Sequence, residues 1–265
     1  MIVAKRAAIS SLSNPLLKDV RKAIMRGDLT SSGWAVAETF HLLEEARRSG
    51  LEIPVVLSTG QVQQELISRE NGLPGSRLIV LPDAIFRRLA STENAQGVIA
   101  LVRLPAWNLE DVFGAAPLVV VLDGVQDPGN AGAILRAGEA FGATGAVFLK
   151  GSVSPFNVKT IRASAGSLFR LPFVAGIEVD AVQACLRKHQ VSVYAAHPRG
   201  NLPLTRASFR APTAIVIGSE GHGVRDVFLR EATLLSIPTM IVESLNAAQA
   251  ATVVLYEAAR QRGVP

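Results

Sequence analysis

Cysteine is almost absent from this chain of 265 residues, in which Cys185 is the single example. One thiol excludes an internal disulfide framework and any zinc site built from several cysteines, and it fits a reducing cytosol. The longest stretch without a charged residue, 244–256, is well short of the ~20 apolar residues that a membrane-spanning helix needs. No apolar core follows the basic pair near the start, so no signal peptide is visible. The sequence predicts a soluble, cytoplasmic protein without membrane association.

Charged residues are also scarce, at 18% of the chain against 49% hydrophobic residues. This composition excludes a disordered or polyelectrolyte chain. The formal net charge of +5 and the isoelectric point near 9.8 favour polyanionic partners only weakly. A chain of this length is sufficient for one large domain or two ordinary ones.

Both halves of the chain alternate between helix and strand patterns. In the first half, we expect helices over 15–26, 40–48 and 83–90, and strands over 34–37, 53–57, 78–81 and 97–104. In the second half, we expect strands over 118–122, 146–149, 191–195, 214–217 and 234–237, and helices over 131–141 and 246–262. The second pattern predicts a mostly parallel sheet with helices on both faces and ligands at the carboxyl ends of its strands.

Residues 105–116 interrupt this alternation, because they include Pro105 and Gly114 and show no clean period. They are predicted to be a linker. The chain thus divides into a first domain, 1–104, and a second domain, 117–265, both of the α/β class.

The first of three glycine-, asparagine- or serine-rich loops spans 123–132 and leads into a predicted helix. Asp127 and Asn130 are suitable helix caps, and Pro128 suits a first helical turn. Arg136 is less easily explained, since a cation close to a helix start is disfavoured by the helix dipole. It has two interpretations, a functional cation or a surface salt bridge to Glu139 three residues on.

The second loop is Gly-Ser-Glu-Gly-His-Gly at 218–223, which follows a predicted strand. Its glycines allow a ligand to approach the backbone closely. Its spacing is not that of the dinucleotide fingerprint, and it lacks the lysine of a phosphate-binding loop. Glu220 is either a turn residue or an acceptor that fixes the loop. His222 is expected to be exposed rather than a metal ligand, because no second histidine or cysteine stands at ligand spacing.

The third loop runs from Ile237-Pro238 to Ser244-Leu245-Asn246, where Ser244 or Asn246 can cap the last helix. The small residues along that helix suit ordinary core packing or close packing against a second subunit. No Ser-His-Asp set, paired carboxylates or metal-binding motif is found. The best candidate site is a polar cluster beside glycine-lined backbone: Asn130, Arg136, Glu220, Ser244 and Asn246.

These loops resemble motifs of a known family. Asp-Pro-Gly-Asn-Ala-Gly-Ala-Ile-Leu-Arg (127–136), Ile-Gly-Ser-Glu-Gly-His-Gly (217–223), and Ile-Pro (237–238) with Ser-Leu-Asn-Ala (244–247) are similar to motifs one, two and three of the SpoU/TrmH family. Members of this family are SPOUT-class RNA ribose 2′-O-methyltransferases. Residues 161–169 resemble its intervening Arg-Ala-Ser-x-Gly segment. Residues 13–18 and 96–100 resemble the start and end of its L30e-like substrate-binding domain.

The resemblance implies a small L30e-like α/β domain followed by a SPOUT-type parallel sheet with a trefoil knot. It also implies S-adenosylmethionine bound in the knot by backbone groups of Gly218, Ile237 and Leu245. It further implies a homodimer whose active site is completed across the interface. Three features depart from the family pattern: the segment between Pro238 and Ser244 is short and lacks glycine, Gln249 replaces a small or apolar residue, and Thr39 follows Glu38 where glycine is common.

The resemblance suggests a role for each residue of the cluster. Arg136 would stabilise the developing alkoxide of a ribose 2′-hydroxyl and clamp phosphate, since a guanidinium with a pKa above ~12 is a poor base. Asn130 would orient Arg136 or the ribose, Glu220 would shape its loop, and Ser244 and Asn246 would hold the third motif. The basic residues near the start either contact RNA or form a solvated face: Lys5, Arg6, Lys18, Arg21, Lys22 and Arg26.

The favoured substrate is structured RNA of the 23S rRNA type. Alternatives are a tRNA 2′-O-methyltransferase and a non-catalytic RNA-binding protein that retains the fold. A nucleotide-dependent enzyme on a doubly wound sheet is disfavoured because the phosphate-binding fingerprints are missing.

Overall fold

The computed structural model describes residues 6–68, 75–92 and 95–263. The strands are β1 (Arg6–Ala8), β2 (Trp34–Glu38), β3 (Val55–Thr59), β4 (Arg77–Leu81), β5 (Val98–Arg103), β6 (Leu118–Asp123), β7 (Gly145–Leu149), β8 (Phe173–Ile177), β9 (Ser192–Ala196), β10 (Leu202–Pro203), β11 (Thr213–Gly218) and β12 (Thr233–Ser236). The α-helices are α1 (Pro15–Arg26), α2 (Phe40–Arg48), α3 (Gly60–Ser68), α4 (Asp83–Leu89), α5 (Pro128–Ala140), α6 (Val158–Ala163), α7 (Val179–Lys188), α8 (Asp226–Glu231) and α9 (Ala247–Arg262).

The chain forms two compact units. Unit 1 comprises Met1–Pro105 and Phe156–Phe169, and unit 2 comprises Ala106–Pro155 and Arg170–Pro265. The sheet of unit 1 has the order β1-β4-β3-β5-β2, in which β5 runs antiparallel to β2 and β3. The predicted bounds of α1 and α2 are confirmed.

Local sequence explains why α1 begins and ends where it does. The Asn14 side chain accepts a hydrogen bond from the Leu16 N–H (3.0 Å), and Pro15 occupies the first turn, where its missing N–H costs nothing. Gly27 ends the helix in the left-handed conformation. The apolar face of α1 places Leu17 and Val20 in the core of unit 1.

Residues 156–169 pack with unit 1, although the sequence assigned them to the second domain, 117–265. Val158 joins the core of unit 1. The Arg162 guanidinium lies 3.5 Å from the buried Glu38 carboxylate, which also accepts the Ser91 N–H (2.8 Å). A Cβ on Gly166 would lie 2.8 Å from the Glu45 side chain, so the backbone there approaches α2 more closely than a larger residue would allow.

Unit 2 contains a sheet with the order β10-β12-β9-β11-β6-β7-β8, in which every pairing is parallel. This confirms the predicted parallel sheet. All six residues of β6 are buried, as expected for a strand covered on both faces. Among the described residues, no helix is both long and apolar enough to cross a bilayer.

The segment predicted as a linker, 105–116, contributes to the core of unit 2. Leu109–Val112 forms a 3-10 turn, whose first N–H groups are capped by Asn108. Val112 and Phe113 are buried among residues of the parallel sheet. The second half of this segment is therefore packed structure rather than an extended connector.

Candidate active site

The three glycine- or asparagine-rich loops meet at one edge of the unit 2 sheet. They follow β6, β11 and β12, and parallel strands end at the same edge. Between the second and third loops lies a cavity of about 460 Å³. Six predicted site residues line it: Gly218, Glu220, Ile237, Ser244, Leu245 and Asn246.

A side-chain hydrogen-bond chain connects all three loops. Asn246 Nδ2 donates to Asn130 Oδ1 (3.4 Å), and Asn130 Nδ2 donates to Glu220 Oε1. The backbone holds both asparagines, since the Asn130 N–H donates to the Asp127 cap (2.7 Å) and Asn246 Oδ1 accepts the Gln249 N–H (2.8 Å). Asn130 therefore lies in the first turn of α5, Asn246 caps α9, and the side chain of each bonds to a residue of another loop. The structure brings together Asn130, Glu220 and Asn246, as the sequence predicted.

The loop after β11 is a tight turn that requires glycine at its first position. Ser219 and Gly223 exchange backbone hydrogen bonds of 3.0 and 2.9 Å, which close the turn. A Cβ on Gly218 would lie 2.2 Å from the carbonyl carbon of Gly223, a distance that only a backbone shift could relieve. By contrast, a Cβ on Gly221 would meet no atom within 4 Å.

A buried carboxylate fixes the exit of this turn. Asp123, the last residue of β6, accepts the Arg225 N–H (2.7 Å) and lies 2.6 Å from the Arg225 Nε. Arg225 Nη2 also donates to the Lys150 carbonyl (2.6 Å). The Ser219–Gly223 backbone bonds close the turn, and buried Val224 together with the Arg225–Asp123 contacts fixes the chain that leaves it. Sequence reasoning did not find the pair formed by Asp123 and Arg225.

Arg136 lies apart from the cavity lining. It is exposed on α5, and the structure gives it no hydrogen bond or ion pair with any other described residue. The alternative salt bridge to Glu139 is wrong, because Glu139 instead binds Arg170, with Nη2 to Oε2 at 2.9 Å. Arg136 is therefore a free, solvent-facing cation within the part of the chain that is described.

Two histidines that received no role in the predicted cluster also border the cavity. His222 is exposed at the turn, as expected, and His197 follows β9. The Arg199 N–H donates to His197 Nδ1 (3.1 Å), so the neutral ring carries its proton on Nε2. Among the described residues, no group of three His, Cys, Asp or Glu side chains is placed to bind a metal ion.

Comparisons with known proteins agree with this geometry. Residues 117–256 match the SpoU rRNA Methylase family, and residues 14–100 match an MRM3-like substrate binding domain. The chain is 30% identical to the 23S rRNA (guanosine(2553)-2′-O)-methyltransferase RlmP of Bacillus subtilis, with coverage of 94% of this chain and 97% of that protein.

Two crystal structures with bound AdoMet are also similar. The SpoU methyltransferase AviRb from Streptomyces viridochromogenes has a TM-score of 0.84 and 26% identity, and the match covers 95% of this chain and 99% of that one. An rRNA methyltransferase from Sinorhizobium meliloti has a TM-score of 0.81 and 28% identity, with coverage of 96% and 98%. On these matches, the chain belongs to the SpoU rRNA methylase family.

Proposed function

We propose that the protein transfers a methyl group from S-adenosylmethionine to a ribose 2′-hydroxyl of structured RNA, with 23S rRNA as the favoured substrate. The observation that carries this proposal is the chain Asn246–Asn130–Glu220, which joins three separate loops beside the cavity. In this proposal, domain 117–265 performs the transfer in the cytoplasm and domain 1–104 binds RNA. The B. subtilis protein that this chain matches over nearly its full length is named as a 23S rRNA methyltransferase, which supports rRNA over tRNA as the substrate.

The cavity fits the proposed cofactor in size and charge. Its volume of about 460 Å³ lies within the usual range for small-molecule sites. Among the described residues that line the cavity there are two carboxylates, Glu220 and Glu243, and no lysine or arginine. This balance of charge suits a cationic sulfonium. Backbone of Gly218, Ile237 and Leu245 would hold the cofactor, and Gly218 allows close approach because it has no side chain. When bound, S-adenosylmethionine supplies an activated methyl group.

The residues of this chain then have to prepare the acceptor oxygen. A ribose 2′-hydroxyl is a weak acid, so a positioned cation that stabilises the developing negative charge accelerates attack. Arg136 provides that charge, while the proton leaves to water or to an RNA phosphate. Asn130 orients the ribose or Arg136, Glu220 fixes Asn130, and Ser244 and Asn246 hold the third loop against the substrate.

A homodimer would bring the exposed Arg136 into a closed site. Arg136 and Ala140 on α5 are exposed, as are Val253 and Tyr256 on α9, and the two helices pack together. Tyr256 lies edge-on to Phe141, with centroids 5.7 Å apart. A second copy that covers this surface would bury apolar area and complete the site. Tyr256→Asp should then yield a monomer in light scattering and abolish transfer, whereas a monomeric wild-type protein would contradict the dimer.

The trefoil knot and the L30e-like type of the first domain are further parts of the proposal. Loops after β11 and β12 line the same cavity, so the second and third motifs are neighbours, an arrangement that is compatible with the proposed knot. Knots are very rare among proteins, so family membership, rather than general topology rules, supports this threading. A crystal structure in which the chain beyond β11 passes outside the preceding loops would contradict it.

Exposed cations on α1 support an RNA-binding role for the first domain. Lys18, Arg21, Lys22 and Arg26 are all exposed, whereas Lys5 lies outside the described residues. Neutralising these four cations should lower RNA affinity and flatten its dependence on salt concentration. An unchanged salt slope would leave them as a solvated helix face.

Two measurements test the function and separate the alternatives. Calorimetry should detect S-adenosylmethionine binding, which a non-catalytic RNA-binding protein would not need. Mapping 2′-O-methyl marks in total RNA from cells with and without the protein should reveal one lost mark in 23S rRNA. A lost mark in tRNA would support the tRNA alternative, and no lost mark would refute the proposed activity.

A further inference from the structure

Three consecutive apolar side chains stand in solvent between β12 and α9. Met240 is 100% exposed, Ile241 95% and Val242 57%. We call residues 240–242 the apolar tip. Contiguous exposed apolar side chains of this kind mark a site that a partner covers.

The apolar tip belongs to a preformed turn. The Thr239 hydroxyl donates to the Val242 carbonyl (2.6 Å), which closes the backbone around Met240 and Ile241. Pro238 restricts the chain on one side, and Asn246 is fixed on the other by its bonds to Asn130 and to the start of α9. The side chains are thus held outward, away from the protein.

The apolar tip also stands at the rim of the proposed active site. Thr239 and Glu243, its immediate neighbours in sequence, both line the cavity. In the proposed function the target ribose enters this cavity, and a target that enters on the side of Thr239 and Glu243 would bring its neighbouring nucleotides close to Met240 and Ile241.

We infer that the apolar tip is a wedge that enters the base stack of the RNA next to the target nucleotide. Nucleic-acid-binding proteins use exposed Met, Ile and Leu side chains in this way, since apolar side chains can replace base stacking and expose a nucleotide. This inference rests on the proposed function. A cover over the cofactor would need these side chains to face inward, whereas they face solvent. A second copy of the chain is the competing occupant, and the test below separates it.

The test compares wild-type protein with the double variant Met240→Ser/Ile241→Ser. The control for loss of an exposed side chain elsewhere is Arg230→Ala on α8, which has no role in the proposed function. The conservative variant Ile241→Leu tests whether apolar character is sufficient. The RNA is a short transcript centred on the mapped methyl mark, used as a single strand and annealed to its complement. Initial rates, S-adenosylmethionine affinity by calorimetry and mass by light scattering are measured.

The wedge predicts a selective defect. The double variant should lose roughly tenfold or more in kcat/KM on the paired RNA and keep its rate on the single strand, because only the paired target needs unstacking. Cofactor affinity and molecular mass should not change, and Arg230→Ala and Ile241→Leu should behave as wild type.

Every other pattern overturns the inference. Equal losses on both RNAs, no loss on either, or a wild-type protein that methylates the single strand but not the paired RNA would each contradict a wedge. Weakened cofactor binding would identify a cofactor cover instead, and a changed mass would identify a subunit contact. Failure of the proposed function itself would be distinct, because wild-type protein would then methylate neither RNA.

Discussion

Asn130 on α5 and Glu220 in the turn after β11 are 90 residues apart in sequence, and the Asn130 side-chain amide donates a hydrogen bond to the Glu220 carboxylate. The bond connects the first and second motifs, while Asn246 connects the third to the same asparagine. These two linked hydrogen bonds make the position of each loop depend on the other two.

Coupling between Asn130 and Glu220 follows from this arrangement. Asn130→Ala and Glu220→Ala should each lower the transfer rate, and the double variant should lose little more than either one, because both remove the same bond. A double-mutant cycle on kcat and on S-adenosylmethionine affinity measures this. Strictly additive losses would show that the two side chains act independently.

Gly218 and Gly221 provide a matched pair of substitutions in one turn. Gly218→Ala places a Cβ 2.2 Å from the Gly223 carbonyl carbon and should deform the turn, weaken cofactor binding and lower thermal stability. Gly221→Ala meets open space and should be tolerated. Calorimetric titration with S-adenosylmethionine and thermal melting check both variants. Equal behaviour of the two would contradict the close approach at Gly218.

Thr39 occupies a backbone conformation that favours glycine, with φ at 131°. Strain of this kind typically costs about 1–3 kcal/mol. The Thr39 hydroxyl also caps α2 by accepting the Leu42 N–H (3.2 Å). Since alanine removes the cap and keeps the strain, Thr39→Gly should be more stable than Thr39→Ala by about 1 kcal/mol. Urea denaturation of the two variants measures the difference, and a less stable glycine variant would show that the backbone is unstrained.

Glu257 should make stability depend on pH. The Arg260 guanidinium, together with the Gln261 amide, lowers the pKa of Glu257 to about 2. A lowered folded-state pKa stabilises the protein above the ordinary value near 4.5 and loses that effect as pH falls from there towards 2.

The matching measurement is the free energy of unfolding of the wild-type protein and of Glu257→Gln. At pH 6 the variant should be less stable by up to about 1 kcal/mol, the scale of a partly exposed ion pair. The gap should narrow as the pH falls below 4.5, if the protein remains folded there. A gap that is constant with pH would mean that the carboxylate charge contributes nothing.

Periodicity and capping patterns were sufficient to predict most of the regular elements. The bounds of α1 and α2 were confirmed, and β6, α5 and α9 were placed to within three residues at either end. These segments combine a clear apolar pattern with a cap or a glycine stop. Three strands were missed for physical reasons. β1 has three residues and β10 only two, whereas β8 contains Gly176 in a positive-φ conformation and is partly exposed.

Long-range packing could not be derived from local pattern. Nothing near Arg162 in sequence indicates that it meets Glu38, and nothing near Glu139 indicates that it binds Arg170 rather than Arg136. The buried Asp123 was hidden at the end of an apolar run, although a carboxylate at the end of a buried strand is itself a signal that a cation partner exists. The polar cluster was found from the composition of the loops that follow the strands, and the resemblance added the roles of its residues and the cofactor contacts of Gly218, Ile237 and Leu245.

The role of Arg136 is the central claim and can be tested with purified protein. Labelled methyl groups from S-adenosylmethionine are followed into 23S rRNA, which is then digested to nucleosides for mass spectrometry. The account predicts a 2′-O-methylated nucleoside with the wild-type protein. Arg136→Ala should lower the rate by a factor of ~10²–10³ and keep the wild-type melting temperature. Arg230→Ala, which removes an exposed cation on α8, should keep the wild-type activity. A methyl group on the base, or a wild-type rate from Arg136→Ala, would contradict it.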